Sequence, residues 1–281
     1  MKEIIINKDY EGIERITNGD YVLNGNLNID GDLKIDLDDI LVVRGDLIVK
    51  GTIKTNKTII SDYGIEAGGG IEAGCGIKAG YGIKAGHGIE AGCGIEAGCG
   101  IKAGYGIKAG GGIEAGCGIE AGWGIEAGDG IEAGCGIEAG HDIEAGCGIE
   151  AGCGIEAGHD IEAGHDIKAG HDIKAGCGIE AGHDIEAGWG IEAGDGIEAG
   201  RGIEAGLDIT CKWLSSKLRI FAGLCIWKKP SEKETFITCE ELREGEIAFG
   251  KLNLIPKKQI KEMTISEISE ALGYDIKVVK E

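Results

Sequence analysis

Residues 112–135 read GIEAGCGIEAGWGIEAGDGIEAGC, and this six-residue pattern decides the fold. It belongs to an array of 24 hexapeptides, residues 64–207, of the form (Gly/Asp)-Ile-(Glu/Lys)-Ala-Gly-X. Ile and Ala are two positions apart, so on an extended strand they share one side while the charged residue takes the other. One such unit cannot bury its own Ile, but stacked units bury a continuous core. The array therefore predicts a parallel β-solenoid with a thin core of Ile and Ala.

The same register extends beyond the perfect repeats. Aliphatic pairs recur every six residues from Leu27/Ile29 onward, apart from an insertion over residues 36–43, and Ile209/Cys211 continues the series. Early glycines such as Gly31 occupy the place of X, so X is predicted to be a corner position. It holds Cys in eight repeats and His in six. Geometry favours three hexapeptides per coil, and hence about eight coils for residues 64–207. Identical residues recur about as often four repeats apart as three repeats apart, so the repeats themselves do not decide between the two.

An interval of three hexapeptides sorts the X residues into columns. One column would contain four cysteines: Cys99, Cys117, Cys135 and Cys153. A second would contain mainly rings: His87, Tyr105, Trp123, His141, His159 and Cys177.

Gly31-Asp32-Leu33-Lys34-Ile35 and Gly45-Asp46-Leu47-Ile48-Val49 follow the pattern G-x-I-x-A/V. With this pattern, residues 20–211 resemble the bactofilins, which are bacterial polymer-forming proteins with a triangular right-handed β-helix. The resemblance implies a three-sided solenoid and, as a function, a structural polymer or scaffold. Two features depart from the family. Bactofilins lack the near-identical Gly-Ile-Glu-Ala-Gly array, and their tails are usually short and disordered, whereas both ends of this chain have structured patterns.

We divide the chain into an N-terminal cap (1–19), irregular solenoid coils (20–63), the perfect hexapeptide solenoid (64–207) and a C-terminal capping or docking domain (208–281). Asn7 is predicted to be the N-cap of a short helix that covers the first coil. The fold class is thus all-β, a three-sided parallel solenoid with an N-terminal cap and a small α+β C-terminal cap. Because open solenoid ends are templates for polymerisation, two caps favour a discrete particle over a filament.

The C-terminal domain holds all three Phe and both Pro of the chain. Strands are predicted at residues 236–239 and 246–249, a helix from the capping box Thr264-x-x-Glu267 to Gly273, and a strand from Ile276. A docking role, including a homodimer through this cap, is predicted for Trp213, Phe221 and Trp227. Apolar residues predicted to plug the last coil are Trp213, Leu218, Ile220, Phe221, Leu224, Ile226 and Trp227.

The repeats carry nearly all the charge of the protein. Residues 64–207 contain 18 Glu and 7 Asp against 6 Lys and 1 Arg, a net −18 of the chain's −21. With coils about 4.8 Å apart, this is one net charge per roughly 2 Å, close to the one per about 1.7 Å of duplex DNA. The sequence therefore predicts a non-enzymatic acidic solenoid that binds a protein partner with a basic, nucleic-acid-binding groove. Such a DNA mimic would inhibit a nucleic-acid-handling complex, as in phage or mobile-element anti-defence. The alternative is that Glu serves only solubility.

The acidic stripes predicted to bind the partner are Glu90, Glu96, Glu114, Glu120, Glu126, Glu132, Glu138, Glu144, Glu150, Glu156, Asp129 and Asp195.

The residues at X also bear on two other classes of function, a metal- or redox-responsive scaffold and a hexapeptide acyltransferase. Cys and His at X suggest a metal- or redox-responsive scaffold as a third hypothesis, after the mimic and the bactofilin-like polymer. However, no C-x-x-C spacing occurs, and evenly spaced ligands do not close a tetrahedral site, so no metal or cofactor is predicted. Five of the six His precede Asp, which suggests oriented imidazoles or copies of one repeat. Hexapeptide acyltransferases need a small residue where Trp, Tyr and Arg stand here, so no catalytic residue is predicted.

Composition sets the expected partners and location. A net charge of −21 argues against direct binding of nucleic acid. The longest apolar run, residues 220–227, is too short to span a bilayer. The N-terminal sequence lacks the features of a signal peptide, so we expect a cytoplasmic protein without membrane contact.

Overall fold

The computed structural model describes residues 3–257 and 264–272, and over them the chain is an all-β parallel β-solenoid of about 13 coils. Each coil contributes three strands, and each strand pairs in parallel with the equivalent strand of the next coil. In the repeats the partners are three hexapeptides apart, as Ile71 with Ile89 and Ile77 with Ile95. The early coils are longer, since Leu27 pairs with Leu47 and Glu3 with Asp32. The predicted fold and coil length are thus confirmed.

Strand bounds follow the hexapeptide pattern. In the repeats each strand covers the Ile, the charged residue and the Ala, from Ile65–Ala67 to Ile203–Ala205, and only Gly196–Ala199 starts one residue earlier. Before the repeats the strands are Glu3–Ile6, Ile13–Arg15, Tyr21–Leu23, Leu27–Ile29, Asp32–Ile35, Leu41–Val43, Leu47–Val49, Ile53–Thr55 and Ile59–Ser61. After them the strands are Ile209–Thr210, Trp213–Ala222, Phe236–Cys239, Glu241–Phe249 and Lys251–Leu254. Helical structure in the described ranges consists of the 3-10 helix Glu232–Thr235 and the α-helix Ile265–Leu272.

The core is a stack of Ile and Ala side chains. Every Ile and every Ala of the 24 repeats is buried, while the charged residue between them faces solvent. This alternation follows from the two-residue period of an extended strand. In the first coils larger or polar residues take the place of Ala, and the buried Ser61 hydroxyl donates to the carbonyl oxygen of Gly45 at 2.6 Å.

The glycine that follows Ala is required by close contact between coils. A Cβ atom on Gly128 would lie 2.2 Å from the carbonyl oxygen of Gly110, one coil earlier. The first position of the repeat is less crowded, since a Cβ on Gly130 would lie 3.2 Å from the carbonyl oxygen of Gly148. This difference explains why the fifth position is always Gly, whereas the first accepts Asp in five repeats.

The N-terminal segment is part of the solenoid, and the predicted helix after Asn7 was wrong. Strand Glu3–Ile6 pairs in parallel with Asp32–Ile35 and buries its last side chain. The Asn7 carboxamide accepts from the backbone N–H of Asp9 at 3.0 Å, so it caps a turn instead of a helix. After this turn, Ile13–Arg15 runs antiparallel to the next strand.

The segment from Trp213 also continues the solenoid, so the predicted apolar plug was wrong. Strand Trp213–Ala222 pairs with two successive strands of the preceding coil, and its Ile220 points into the core. Leu218 and Trp227 are exposed instead of covering the end. Leu214 and Ser216 are buried in the first half of this strand, and Ile220 and Ala222 in the second, while residues 217–219 between them face solvent. The strands predicted at residues 236–239 and 246–249 are confirmed.

The C-terminal helix begins as predicted. The Glu267 carboxylate accepts from the backbone N–H of Thr264 at 2.6 Å, and the Thr264 hydroxyl accepts from the N–H of Glu267 at 3.3 Å. This is the predicted capping box. The helix end at Gly273 and the strand from Ile276 lie outside the described residues.

Candidate functional site

The three strands of each coil give the solenoid three faces, each with one column of outward side chains. Face 1 presents Lys54, Glu72, Glu90, Lys108, Glu126, Glu144, Glu162, Glu180 and Glu198. Face 2 presents Ile60, Lys78, Glu96, Glu114, Glu132, Glu150, Lys168, Glu186 and Glu204. Face 3 presents Ile48, Glu66, Lys84, Lys102, Glu120, Glu138, Glu156, Lys174 and Glu192. The predicted acidic residues are therefore divided among three faces.

Lysines of the early coils pair with glutamates one coil away. On face 1, Lys108 Nζ lies 2.7 Å from Glu126 Oε1, and on face 2, Lys78 Nζ lies 2.5 Å from Glu96 Oε1. All of these groups are at least half exposed, so each pair contributes well under about 1 kcal/mol. The remaining pairs of this kind are Lys54–Glu72, Lys84–Glu66 and Lys102–Glu120.

Three consecutive coils, residues 112–165, contain no Lys or Arg at all. We call these coils the acidic belt. Their carboxylates are Glu114, Glu120, Glu126, Glu132, Glu138, Glu144, Glu150, Glu156, Glu162, Asp129, Asp142 and Asp160. Three coils span about 14 Å, so these twelve carboxylates give one charge per roughly 1.2 Å. This density exceeds that of duplex DNA, about one per 1.7 Å.

On face 1 of the belt, Glu162 lies among other carboxylates. Partial burial raises the pKa of Glu162, and the neighbouring carboxylates of Glu144 and Glu180 raise it further, followed by Asp160 and Asp142. Burial and like charge both disfavour the ionised form. Glu162, Glu180, Asp142 and Asp160 are not among the acidic residues predicted from the sequence to bind the partner. Applying the interval of three hexapeptides to the charged position and the first position of the repeat, as well as to X, groups them.

Three of the predicted acidic residues lie outside the belt. Glu90 and Glu96 belong to the coils that contain lysine, and Glu96 is paired with Lys78. Asp195 lies near the C-terminal end of the repeats, where its Oδ1 is 3.5 Å from Lys212 Nζ. The other nine predicted residues belong to the belt.

The X residues form three corners between the faces, and none of them is buried. The cysteine corner, between faces 2 and 3, comprises Tyr63, Tyr81, Cys99, Cys117, Cys135, Cys153, His171, Trp189 and Leu207. The histidine corner, between faces 3 and 1, comprises Gly69, His87, Tyr105, Trp123, His141, His159, Cys177 and Asp195. The mixed corner, between faces 1 and 2, comprises Cys75, Cys93, Gly111, Asp129, Cys147, His165, His183 and Arg201. The predicted corner position and both predicted columns are confirmed.

Rings in the same corner stack on one another. The ring of His141 lies between those of Trp123 and His159, with centroid distances of 4.4 and 4.7 Å. His165 stacks on His183 at 5.0 Å. These contacts follow from the coil spacing.

In the five His-Asp pairs, the aspartate carboxylate accepts a hydrogen bond from a backbone N–H of the next coil. Asp160 Oδ1 accepts from the N–H of Gly178, one coil later, at 2.6 Å, and Asp142 Oδ1 accepts from the N–H of Asp160 at 3.1 Å. The same bond is made by Asp166, Asp172 and Asp184. The geometry of the corner therefore explains the Asp of each His-Asp pair. One imidazole, that of His183, has its Nδ1 3.9 Å from a carboxylate oxygen, and that oxygen belongs to Asp166 of the preceding coil.

The predicted docking residues differ in accessibility. Trp213 is half-buried under the Arg243 guanidinium, which lies 3.9 Å from the ring centroid. Phe221 is half-buried, whereas Trp227 is 78% exposed on the loop before the 3-10 helix. Trp227 is thus the most accessible of the three.

Within residues 3–257 and 264–272, no three or more His, Cys, Asp or Glu side chains are placed to share a metal ion. The eleven cysteines are free thiols. No helix in the same ranges is long and apolar enough to cross a membrane.

Comparison with known proteins finds no matching family model, no matching curated protein and no matching solved structure. The resemblance to bactofilins is therefore supported at the level of the parallel β-solenoid alone.

Proposed function

We propose that this protein is a non-enzymatic binding protein whose acidic belt occupies the basic, nucleic-acid-binding groove of a protein partner. The observation that carries the proposal is the belt itself, twelve carboxylates over three coils without a basic residue. Arg and Lys side chains of a groove that holds phosphates would meet a comparable density of negative charge.

The fold does not require this charge. The outward position of the repeat accepts Lys six times among 24 repeats, and Lys would relieve the repulsion between stacked carboxylates. The belt nevertheless keeps Glu at all nine of its outward positions. A charge that opposes stability and is not needed for folding is best explained by binding.

The belt is also preorganised for binding. Its strands are fixed by parallel pairing on both sides, as Ile131 is with Ile113 and Ile149. Charged groups held on such a backbone need little ordering when a partner binds, and complementary charge accelerates the encounter. An inhibitor of a nucleic-acid-handling complex, of the phage or mobile-element anti-defence type, in the cytoplasm, fits these properties.

Binding to a sequence-independent DNA-binding protein of the HU class tests the proposal. In Glu126→Gln/Glu144→Gln/Glu162→Gln, three carboxylates of face 1 within the belt become neutral. The matched control, Glu186→Gln/Glu192→Gln/Glu204→Gln, changes the net charge equally outside the belt. We expect the belt variant to bind at least tenfold more weakly than the control at about 0.15 M salt. Equal affinities of the two variants would reject the belt as the binding surface.

A second candidate function is an end-to-end assembly, and the last coil favours it. In Lys251–Leu254, which pairs with Phe236–Cys239, Leu252 and Leu254 are exposed. Among the described residues no further strand pairs with Lys251–Leu254. Exposed apolar strand edges promote association, which supports either a homodimer through this end or a bactofilin-like polymer.

The two ends are unlike, which favours a dimer over a filament. At the N-terminal end Ile13–Arg15 runs antiparallel, and its Glu14 and Arg15 are exposed. This antiparallel, charged edge does not continue a parallel stack on its face, whereas the other two faces end on the parallel strands Glu3–Ile6 and Leu27–Ile29. Negative-stain electron microscopy and light scattering over a range of concentrations decide between the states. Rods of one or two chain lengths are expected, and filaments that lengthen with concentration would favour the polymer.

A further inference from the structure

The cysteine corner places four free thiols one above another. The backbone N–H of Cys117 donates to the carbonyl oxygen of Cys99 at 3.1 Å, and Cys135 and Cys153 continue the same contact at 3.1 and 3.0 Å. Cys117 and Cys135 are exposed, and Cys99 and Cys153 are half-buried. The four side chains therefore start from equivalent backbone positions on successive coils.

Coil spacing fixes the distance between the backbone positions of these cysteines and, for side chains that share a rotamer, the distance between their sulfur atoms. Equivalent atoms on neighbouring strands are about 4.8 Å apart, and this holds for two Sγ atoms whose side chains take the same rotamer. A metal–thiolate bond is about 2.3 Å long in zinc sites, so a linear sulfur–metal–sulfur unit spans roughly 4.6 Å. Neighbouring thiols in this corner thus match a linear, two-coordinate site.

We infer that adjacent thiols of the cysteine corner bind soft monovalent cations of the Cu(I) and Ag(I) type. Thiolates select soft cations. Each ion would displace the protons of two thiols and form one linear bridge between successive coils. The four thiols hold two such ions, one between Cys99 and Cys117 and one between Cys135 and Cys153.

The charge of the neighbouring faces favours the same ions. The cysteine corner lies between faces 2 and 3, where the belt presents Glu114, Glu132, Glu120 and Glu138 beside the thiols. A cleft or edge lined with one sign of charge raises the local concentration of counter-ions. Zinc is disfavoured because it takes four ligands, and no group of three or more ligands converges in the described residues.

A disulfide fits this spacing less well. Its Cβ atoms lie about 3.5–4.5 Å apart, which is closer than the coil spacing of about 4.8 Å. The backbones beside this corner are already closely packed, since the space between Gly116 and the carbonyl oxygen of Gly98 is too small for a Cβ atom. A metal ion can therefore bridge two neighbouring thiols of this corner without a backbone movement, whereas a disulfide would require one.

Two variants with equal numbers of thiols test the inference. Cys117→Ser/Cys135→Ser removes every adjacent pair from the cysteine corner. The control variant, Cys147→Ser/Cys177→Ser, removes two thiols that have no Cys one coil away. Cys147 lies between Asp129 and His165, and Cys177 lies between His159 and Asp195. Because X also holds Gly and Asp in other repeats, both variants should fold like the natural chain, which thermal unfolding checks.

Each protein is titrated with Ag(I) in the presence of N-acetylcysteine at the concentration of the protein thiols, which competes with binding by single thiols. Native mass spectrometry then counts the retained ions. We expect the Cys117→Ser/Cys135→Ser variant to retain two fewer Ag(I) ions than the natural chain and the control to retain the same number. Equal losses from the two variants, or no loss from either, would overturn the inference. Retention of Zn(II) by the cysteine corner would also overturn it.

Discussion

Residues 64–111 and the acidic belt, residues 112–165, share one backbone and one core but differ in charge. Both consist of three-residue strands with buried Ile and Ala. The first region contains four lysines, Lys78, Lys84, Lys102 and Lys108, and each is paired with a glutamate one coil away. The belt contains none. The comparison teaches that Ile, Ala and Gly specify the solenoid, while the outward residue is free to serve another purpose.

The largest expected effect is common to both regions, because it concerns the shared backbone. Gly98→Ala and Gly134→Ala place a Cβ 2.1 and 2.2 Å from a carbonyl oxygen of the preceding coil. We expect each to lower the free energy of unfolding by about 3 kcal/mol or more, measured by urea denaturation. The controls are Gly100→Ala and Gly136→Ala at the first position, where the contacts are 3.1 and 3.2 Å and losses below about 1 kcal/mol are expected. Equal losses at the two positions would contradict the explanation of the invariant glycine.

The second effect is a difference in stability between repeats that have Asp at the first position and repeats that have Gly there. Asp160→Ala removes the acceptor of the Gly178 N–H, which lies 2.6 Å from Asp160 Oδ1. We expect a loss of about 1 kcal/mol, typical of a hydrogen bond. Gly130→Asp should add the equivalent acceptor for Gly148 and leave stability unchanged or higher. Asp129→Ala, at a corner X position, is the control, with a change within about 0.5 kcal/mol.

Charge exchange between the regions should have effects of opposite sign. Lys108→Glu breaks the pair with Glu126 and should slightly lower the midpoint of thermal unfolding, whereas Glu144→Lys, between Glu126 and Glu162, should raise it by a similar amount. Both changes should shrink as salt screens the charges. Changes of the same sign would mean that repulsion in the belt is negligible.

The smallest effect is a pH dependence inside the belt. The pKa of Glu162 is raised in the folded state, by burial first and then by its acidic neighbours. The folded protein therefore takes up this proton more readily than the unfolded chain, so stability is gained as the pH falls through that pKa and lost as it rises. Glu162→Gln should stabilise the protein by a few tenths of a kcal/mol at neutral pH, and this difference should vanish on acidification. Glu66→Gln, which loses the pair with Lys84, should destabilise at neutral pH.

The solenoid was predictable because its signal is local and repeated. Ile and Ala two apart, in steps of six, specify strand, core side and stacking at once. The ends were harder to predict. The run of three β-branched residues, Ile4 to Ile6, favours a strand, but Asn7 suggested a helix cap. In the C-terminal part, residues 223–235 separate Ala222 from the next strand and hide the period.

The acidic surface was only partly predictable, because it depends on distance between coils. Glu126 and Glu144 are three hexapeptides apart in the sequence and neighbours on face 1. Listing acidic residues in chain order mixed them with Glu90 and Glu96, which lie among lysines. The strands had to be assigned to faces before the belt could be distinguished from the coils around it.

Competition with DNA for one groove tests the central proposal most directly. A fluorescent duplex bound to the HU-class protein is titrated with the natural chain, with the belt variant and with the matched control, and fluorescence anisotropy reports the bound duplex. Mimicry of phosphates predicts that the natural chain and the control release the duplex completely, whereas the belt variant needs at least tenfold more protein. A ternary complex, in which the acidic chain and the duplex bind together, would show that the belt does not occupy the nucleic-acid groove.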